Sequence, residues 1–371
     1  RLHSRLEPDV GNGSVSGSPS AFLPEKELLP LSGVGSRHTV LCAEAGPFAS
    51  FDSDPHGFRN PPDLWTRAPI ELLLVGDSFA LGECVEDGDT IADRLRREWP
   101  VTVNVGYSGH SPLLELASLV EYGPALRPKT TLWLYFENDL SWFDLARSAS
   151  SPLLMRYLEP DFSQRLIERR SEIDARLTAL LDREFDPVEG PPAVEPVSSL
   201  RDTRLDTIRS LLALQHLRIV LGRARPRLPI NADPASIELL GEILTRAAAV
   251  SATWGGEVVF VYLPGVWRYD RFVGIPTWTG PHVREAIRRR VLEIGLEFVD
   301  VEEAIAQHPA PLSLFAYPGQ SDRVGAPHMN AAGYAISAEV VGAALRDRVA
   351  ASQASVPGGA DSSLRSQTSR Q

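Results

Sequence analysis

The chain contains two cysteines in 371 residues, so at most one bridge, Cys42 to Cys84, can form and a disulfide-built scaffold is excluded. Sequence alone leaves that pair as a disulfide of an oxidising compartment or as two thiols of a reducing one. Positive charge is also scarce: 37 Lys and Arg stand against 48 Asp and Glu, for a net charge of −11. A nucleic-acid partner needs a concentrated basic surface. The short runs ERR at 168–170 and IRRR at 287–290 lie among acidic and apolar residues in helix-period stretches, as solvated faces do. No apolar run is long enough to span a bilayer; the longest candidate, 247–264, is broken by Thr253, Gly255, Gly256 and Glu257. The sequence also lacks a Gly-rich loop ending in Lys-Ser or Lys-Thr and a G-x-G-x-x-G after a strand, so no nucleotide cofactor is indicated. Its histidines show no zinc spacing. Asp52, Asp54 and His56 come nearest to a metal cluster, but with no second cluster to complete a coordination shell they read as a solvated turn. No cofactor and no metal are expected.

With 43% hydrophobic residues the chain can bury a full core, and strands alternate with helices in the manner of an α/β fold. Strands are expected at 38–42, 70–75, 101–104, 130–136, 257–263 and 297–301. Helices are expected at 90–99, 112–122, 234–252, 280–293 and 331–346. Residues 1–36, rich in Gly, Ser and Pro, and the Ser/Gln/Gly tail 350–371 read as disordered or loosely attached ends around one domain at 37–349. An insertion at about 140–231, with helical stretches near 152–184 and 199–221, reads equally as a substrate lid or as a stabilising decoration. The aromatics Trp267, Tyr269, Phe272 and Trp278 mark a loop suited to stacking on a sugar or shaping an acyl pocket, core packing being the alternative.

Chemistry concentrates where strands end. The apolar run 70–75 leads into Gly76-Asp77-Ser78-Phe79, and the next strand leads into Tyr107-Ser108-Gly109-His110. The third strand, TTLWLYF, stops at Glu137-Asn138-Asp139-Leu140, and His328-Met329-Asn330 precedes the last helix. Strand ends of an α/β sheet open into the crevice where ligands bind. A serine hydroxyl needs a base within hydrogen-bond reach, and His328 supplies one for Ser78. The Ser78 and Gly109 backbone N–H groups and the Asn138 amide are candidate donors to an oxyanion. Gly106-Tyr107-Ser108-Gly109 does not match a G-x-S-x-G elbow, which sets aside that route to a nucleophile. His110 reads as a pocket-lining or a surface residue.

The ordered set Ser78, Gly109, Asn138 and His328, in the blocks GDSF, NVGYSG, FENDL and HMN, resembles the SGNH/GDSL hydrolase superfamily. The segment GFRN at 57–60 resembles a branch related to polysaccharide O-acetyltransferases and esterases. The resemblance covers about 52–139 and the last helix. It implies a three-layer α/β/α sandwich with a mainly parallel, flavodoxin-like sheet, and a serine esterase or deacylase acting on an ester-bearing small molecule or carbohydrate, without nucleic acid. The alternatives are an O-acetyltransferase acting on a sugar and a non-catalytic glycan-binding or scaffold module. Because the chain starts at Arg1 without Met, and members of that branch carry N-terminal anchors or signals, the resemblance also implies an extracytoplasmic protein with a membrane tether in a preceding segment. One part of the pattern is missing: where members carry Asp three residues before the histidine, this chain has Gly325. Asp322 is the candidate orienting acid; a solvated Asp322, with a backbone carbonyl holding the ring, is the alternative, and leaves a Ser-His dyad.

Overall fold

The computed structural model describes residues 14–15, 28–41, 49–140, 145–184, 234–269, 280–316 and 328–354. A small sheet of β1 (Ser14–Val15), β2 (His38–Val40) and β3 (Ser50–Asp52) precedes the central sheet, with β1 parallel and β3 antiparallel to β2. The central sheet contains β4 (Leu72–Gly76), β5 (Thr102–Asn104), β6 (Thr130–Phe136), β7 (Glu257–Leu263) and β8 (Glu297–Asp300). Their order is β5-β4-β6-β7-β8, all parallel, which is the doubly wound order 2-1-3-4-5.

Helices cover both faces, which explains why β4 and β6 are apolar or β-branched throughout instead of alternating with polar residues. Leu73, Val75, Trp133, Tyr135, Phe260 and Tyr262 point into one core with α3 (Pro112–Leu126), α7 (Pro234–Ala252) and α8 (Pro281–Glu293). Their neighbours Leu72, Leu74, Leu132, Leu134, Val259 and Val261 point into the other. That second core is closed by α1 (Ser78–Leu81), α2 (Ile91–Leu95), α9 (Glu302–Gln307) and α10 (Ala331–Ala354). The architecture is therefore the expected three-layer α/β/α sandwich. Fully burying one such Leu or Val contributes about 1.5–3 kcal/mol, so the two cores fix the sheet on which the strand ends are displayed.

Some boundaries differ from the sequence reading. The helix read at 112–122 continues through Gly123 and Pro124 to Leu126, where Arg127 ends it with a left-handed backbone (φ 47). Near the helix end Pro124 removes only one intrahelical N–H, so the helix carries it. The last helix extends beyond 346 to Ala354, into the stretch read as a loose tail. The loosely attached N-terminal segment is also shorter than expected. Leu28, Leu29 and Leu31 are buried in the core, Leu29 exchanges hydrogen bonds with the Gln164 side chain, and Arg170 donates to Ser32 Oγ (2.9 Å) and the Gly33 carbonyl (2.6 Å).

The helical stretches read near 152–184 are present and separated by a break. The insertion divides into α4 (Arg147–Ala149), α5 (Pro152–Met155) and α6 (Arg170–Glu184). The cause of the break is Glu121 on α3: its carboxylate accepts from Tyr157 Oη (2.7 Å), Ser163 Oγ (3.0 Å) and the backbone N–H groups of Gln164 (2.5 Å) and Leu166 (2.9 Å). Those donors are drawn to a buried carboxylate rather than to helical carbonyls. The expected helix at 199–221 lies outside the described residues.

Candidate active site

β4 and β6 are neighbours in space yet are joined through the edge strand β5, so the crevice between their carboxyl ends is the topological switch point of the sheet. Ser78 follows β4 and Asn138 follows β6 at this crevice, and Gly109 belongs to the loop leaving β5. Asp77 caps α1 by accepting from the Phe79 N–H at 2.8 Å, and Gly82 closes the helix with a left-handed backbone (φ 75). Asp77 is thus a cap for the turn that carries Ser78.

Two glycines let this turn approach the sheet. A Cβ on Gly106 would lie 2.4 Å from the Ala80 Cβ, and one on Gly76 would lie 2.8 Å from the same atom. Gly109 adopts a left-handed backbone (φ 75) at an exposed turn, and its N–H donates to no described group. The Ser78 N–H is likewise without an acceptor among the described residues. Both are available to a ligand oxygen. The Asn138 Oδ1 atom is buried with no hydrogen-bond partner among the described residues.

Ser78 retains 9% exposure, and its Oγ lies 2.8 Å from His328 Nε2. The backbone of His328 is fixed by strand-like pairing: its carbonyl accepts from the Ala316 N–H at 2.9 Å, and Met329 bridges Phe315. Asn330 then caps α10, its Oδ1 accepting from the N–H groups of Ala332 (3.0 Å) and Gly333 (3.2 Å). The motif HMN therefore places the histidine, anchors it through a buried methionine and starts the helix. The ring also packs on Phe79, with centroids 5.0 Å apart.

Cys84 Sγ lies 3.7 Å from His328 Nδ1. Cys84 is disulfide-bonded, and the chain's other cysteine, Cys42, lies outside the described residues. A disulfide sulfur has no proton and is a weak acceptor, so this contact favours the tautomer with hydrogen on Nδ1. In that tautomer Nε2 presents its lone pair toward the Ser78 hydroxyl. The candidate acid Asp322 also lies outside the described residues. A residue not picked out from the sequence, Glu83, brings Oε2 to 3.7 Å from His328 Nε2 and accepts from Ser108 Oγ at 2.6 Å. Its only sequence signal is its place directly after the capping Gly82, where the chain leaving the helix that begins with Ser78 turns back.

Three further groups read from the sequence hold the site from behind. His110 is buried and not on the surface, and burial pushes its imidazole down to about 3. Asp54 accepts from the backbone N–H groups of His56 (2.8 Å) and Phe58 (3.0 Å), from Asn60 Nδ2 (2.7 Å) and from Trp65 Nε1 (2.6 Å). His56 stacks on Trp65 with centroids 4.0 Å apart. Instead of being a solvated turn, this segment is a hydrogen-bonded brace. Asn60 continues it by donating to the Asn104 carbonyl at the end of β5 (2.8 Å).

On the other side of the crevice, Glu137 receives Trp267 Nε1 (2.5 Å), the Gly265 N–H (3.0 Å), Tyr262 Oη and Arg268 Nε, so the residue before Asn138 is tied to the loop after β7. Burial pushes the Glu137 carboxyl up, against the pull of the Arg268 charge. Trp267 packs on Phe136 (5.6 Å) within the core, whereas Tyr269, packed on Phe315 (5.9 Å), stays half-buried at the core's edge. Phe272 and Trp278 lie outside the described residues.

No protein-family model and no curated protein matches the sequence. Solved structures do. A lipase/acylhydrolase from Enterococcus faecalis is 12% identical with a TM-score of 0.40, over 76% of this chain and 97% of that one. TesA is 13% identical with a TM-score of 0.39, over 75% and 98%. LAE5, an alpha/beta hydrolase enzyme from the metagenome of Lake Arreo, Spain, is 16% identical with a TM-score of 0.36, over 76% and 97%.

Proposed function

We propose that this protein is a serine-dependent ester hydrolase, with Ser78 as nucleophile and His328 as base. The observation that carries this reading is the 2.8 Å contact between Ser78 Oγ and His328 Nε2 at the switch point of a parallel sheet. In this reading Oγ attacks the acyl carbonyl while Nε2 takes its proton. The Ser78 and Gly109 N–H groups and the Asn138 amide receive the charge on the carbonyl oxygen. Nε2 then protonates the departing alcohol, and water releases the acyl group by the same steps in reverse order.

The substrate class is an O-acylated small molecule or glycan, from the resemblance of the four motif blocks. The disulfide at Cys84 supports an oxidising compartment outside the cytoplasm.

A fluorophosphonate probe applied to wild type, Ser78→Ala and His328→Ala tests the pair. We expect labelling mapped to Ser78 in wild type, absent in the first variant and strongly slowed in the second. Release of nitrophenol from p-nitrophenyl acetate, with and without added oligosaccharide, then identifies the acceptor: acetyl transfer to sugar in preference to water would replace the hydrolase reading with an O-acetyltransferase. A wild type that neither labels nor releases nitrophenol would overturn the catalytic reading and leave a binding module.

A further inference from the structure

Among the described residues, Glu83 is the carboxylate that reaches His328, and its position relative to the ring is informative. It faces Nε2, the nitrogen that bonds Ser78, and not Nδ1, where an orienting acid would act. If Ser78 and His328 carry out acyl transfer as proposed above, Nε2 has two proton partners in succession. Oγ forms its bond to the acyl carbon and gives its proton to Nε2. The bond from that carbon to the alcohol oxygen then breaks, its electron pair leaves with the oxygen, and Nε2 returns the proton to that oxygen. The departing alcohol must therefore stand within hydrogen-bond reach of Nε2, and a carboxylate 3.7 Å from Nε2 faces the alcohol portion of the ester.

The bonding of Glu83 leaves it able to act there. Oε2 is held by the Ser108 hydroxyl at 2.6 Å, which fixes the direction of the carboxylate. Oε1 has no hydrogen-bond partner, and no Lys or Arg pairs with the group among the described residues. Its side chain keeps 15% exposure, so it opens to the crevice without being freely solvated. A carboxylate so placed accepts from a hydroxyl or ammonium group and repels a second negative charge at close range.

We propose that Glu83 selects the alcohol portion of the substrate, with Oε1 accepting from a hydroxyl or cationic group carried by that alcohol and anionic alcohols being rejected. The proposal rests on the acyl-transfer reading of Ser78 and His328. The same preference applies to an acceptor hydroxyl entering by the reverse route, so a neutral polyol such as a sugar fits where a phosphorylated or uronate-type alcohol does not.

Three acetate esters test it: phenyl acetate, 4-acetoxybenzenesulfonate and 4-acetoxyphenyltrimethylammonium. Their leaving groups differ in reactivity, so kcat/KM is compared between wild type, Glu83→Gln and Glu83→Asp, where those differences cancel. We expect Glu83→Gln to improve the sulfonate ester relative to the trimethylammonium ester by roughly 10- to 100-fold, and added salt to narrow the wild-type preference. Glu83→Asp should retain the wild-type order of the three esters. An unchanged ratio in Glu83→Gln would overturn the proposal and leave Glu83 as a brace for Ser108. Fluorophosphonate labelling of Ser78 in the same preparations separates the two readings: labelling with no charge preference sinks only the selectivity, whereas no labelling and no turnover sinks the acyl-transfer reading and this one with it.

Discussion

Arg59 donates from its buried guanidinium to the Gly82 carbonyl at 2.8 Å, which ties a residue outside the central sheet to the C-terminus of the helix that begins with Ser78. The same group donates to the Val85 carbonyl (2.9 Å) and through two nitrogens to Asp87 (2.8 and 2.9 Å). Between those anchors lie Glu83 and Cys84, the two residues that face the His328 ring. The GFRN segment thus shapes the surroundings of the base without entering the crevice.

Replacement of Arg59 should therefore be felt at the site. Lysine cannot reproduce the planar fork, and Arg59→Lys leaves a buried carbonyl unpaired at a cost of about 1–3 kcal/mol. We expect a lower thermal midpoint together with a roughly tenfold or greater loss of kcat/KM. Calorimetry and ester kinetics on one preparation check both, and unchanged kinetics in a destabilised variant would confine Arg59 to stability.

Asn138→Ala removes a side-chain donor at the end of β6 while leaving Glu137 and its partners in place. Loss of one oxyanion donor costs about 100- to 1000-fold in kcat. The expected signature is a fall in kcat with KM nearly constant, measured on p-nitrophenyl acetate. A rise in KM alone would assign Asn138 to substrate binding.

Gly106→Ala puts a methyl 2.4 Å from the Ala80 Cβ and displaces the helix that starts with Ser78. Overpacking of this kind typically costs about 1–3 kcal/mol. The closest contact is with Ala80, the Gly76 carbonyl (3.1 Å) and Asn104 Oδ1 (3.2 Å) being tight but less so, so the double variant Gly106→Ala with Ala80→Gly should recover part of both stability and esterase activity. Failure of the second change to rescue would locate the strain elsewhere.

His110 predicts a pH dependence. Its imidazole is pushed from an ordinary 6.5 to about 3 by burial, so the folded state keeps it neutral where the unfolded chain binds a proton. Between about pH 6.5 and 3 the unfolded state then holds more protons, and stability falls as pH falls, by up to ~1.4 kcal/mol per pH unit from this group. Above pH 6.5 its contribution is flat. Asp54 and Glu137 are pushed up, which gives the opposite slope above their unfolded values, so wild type and His110→Asn must be compared across the same pH series. Denaturant midpoints from pH 4 to 7 should be flatter in the variant.

The sheet and the pairing of Ser78 with His328 were legible because they follow from local pattern. β6, α7 and β7 begin and end where composition places them, since burial on both faces demands unbroken apolar runs in the strands and the intervening Gly and Pro mark the turns. Ser78 and His328 could be read because Ser78 opens one helix and His328 lies two residues before the Asn330 cap of another. Glu83, Arg59 and Glu137 could not. Their roles depend on which carbonyl, ring or indole a loop brings opposite them, and no periodicity records that. For the same reason the burial of His110 and of the Asp54 turn was not visible: a polar residue in a turn gives no sign of burial until its partners, such as Trp65 and Asn60 around Asp54, are placed around it.

Ser78 and His328 are separated by 250 positions along the chain. During synthesis at roughly 5–20 residues per second, Ser78 emerges some ~10–50 s before His328. For that interval the growing polypeptide holds a serine without the imidazole that faces it in the folded chain. The contact forms only when the last helix docks, so under the proposed function esterase activity would itself report that the chain has folded to its final helix.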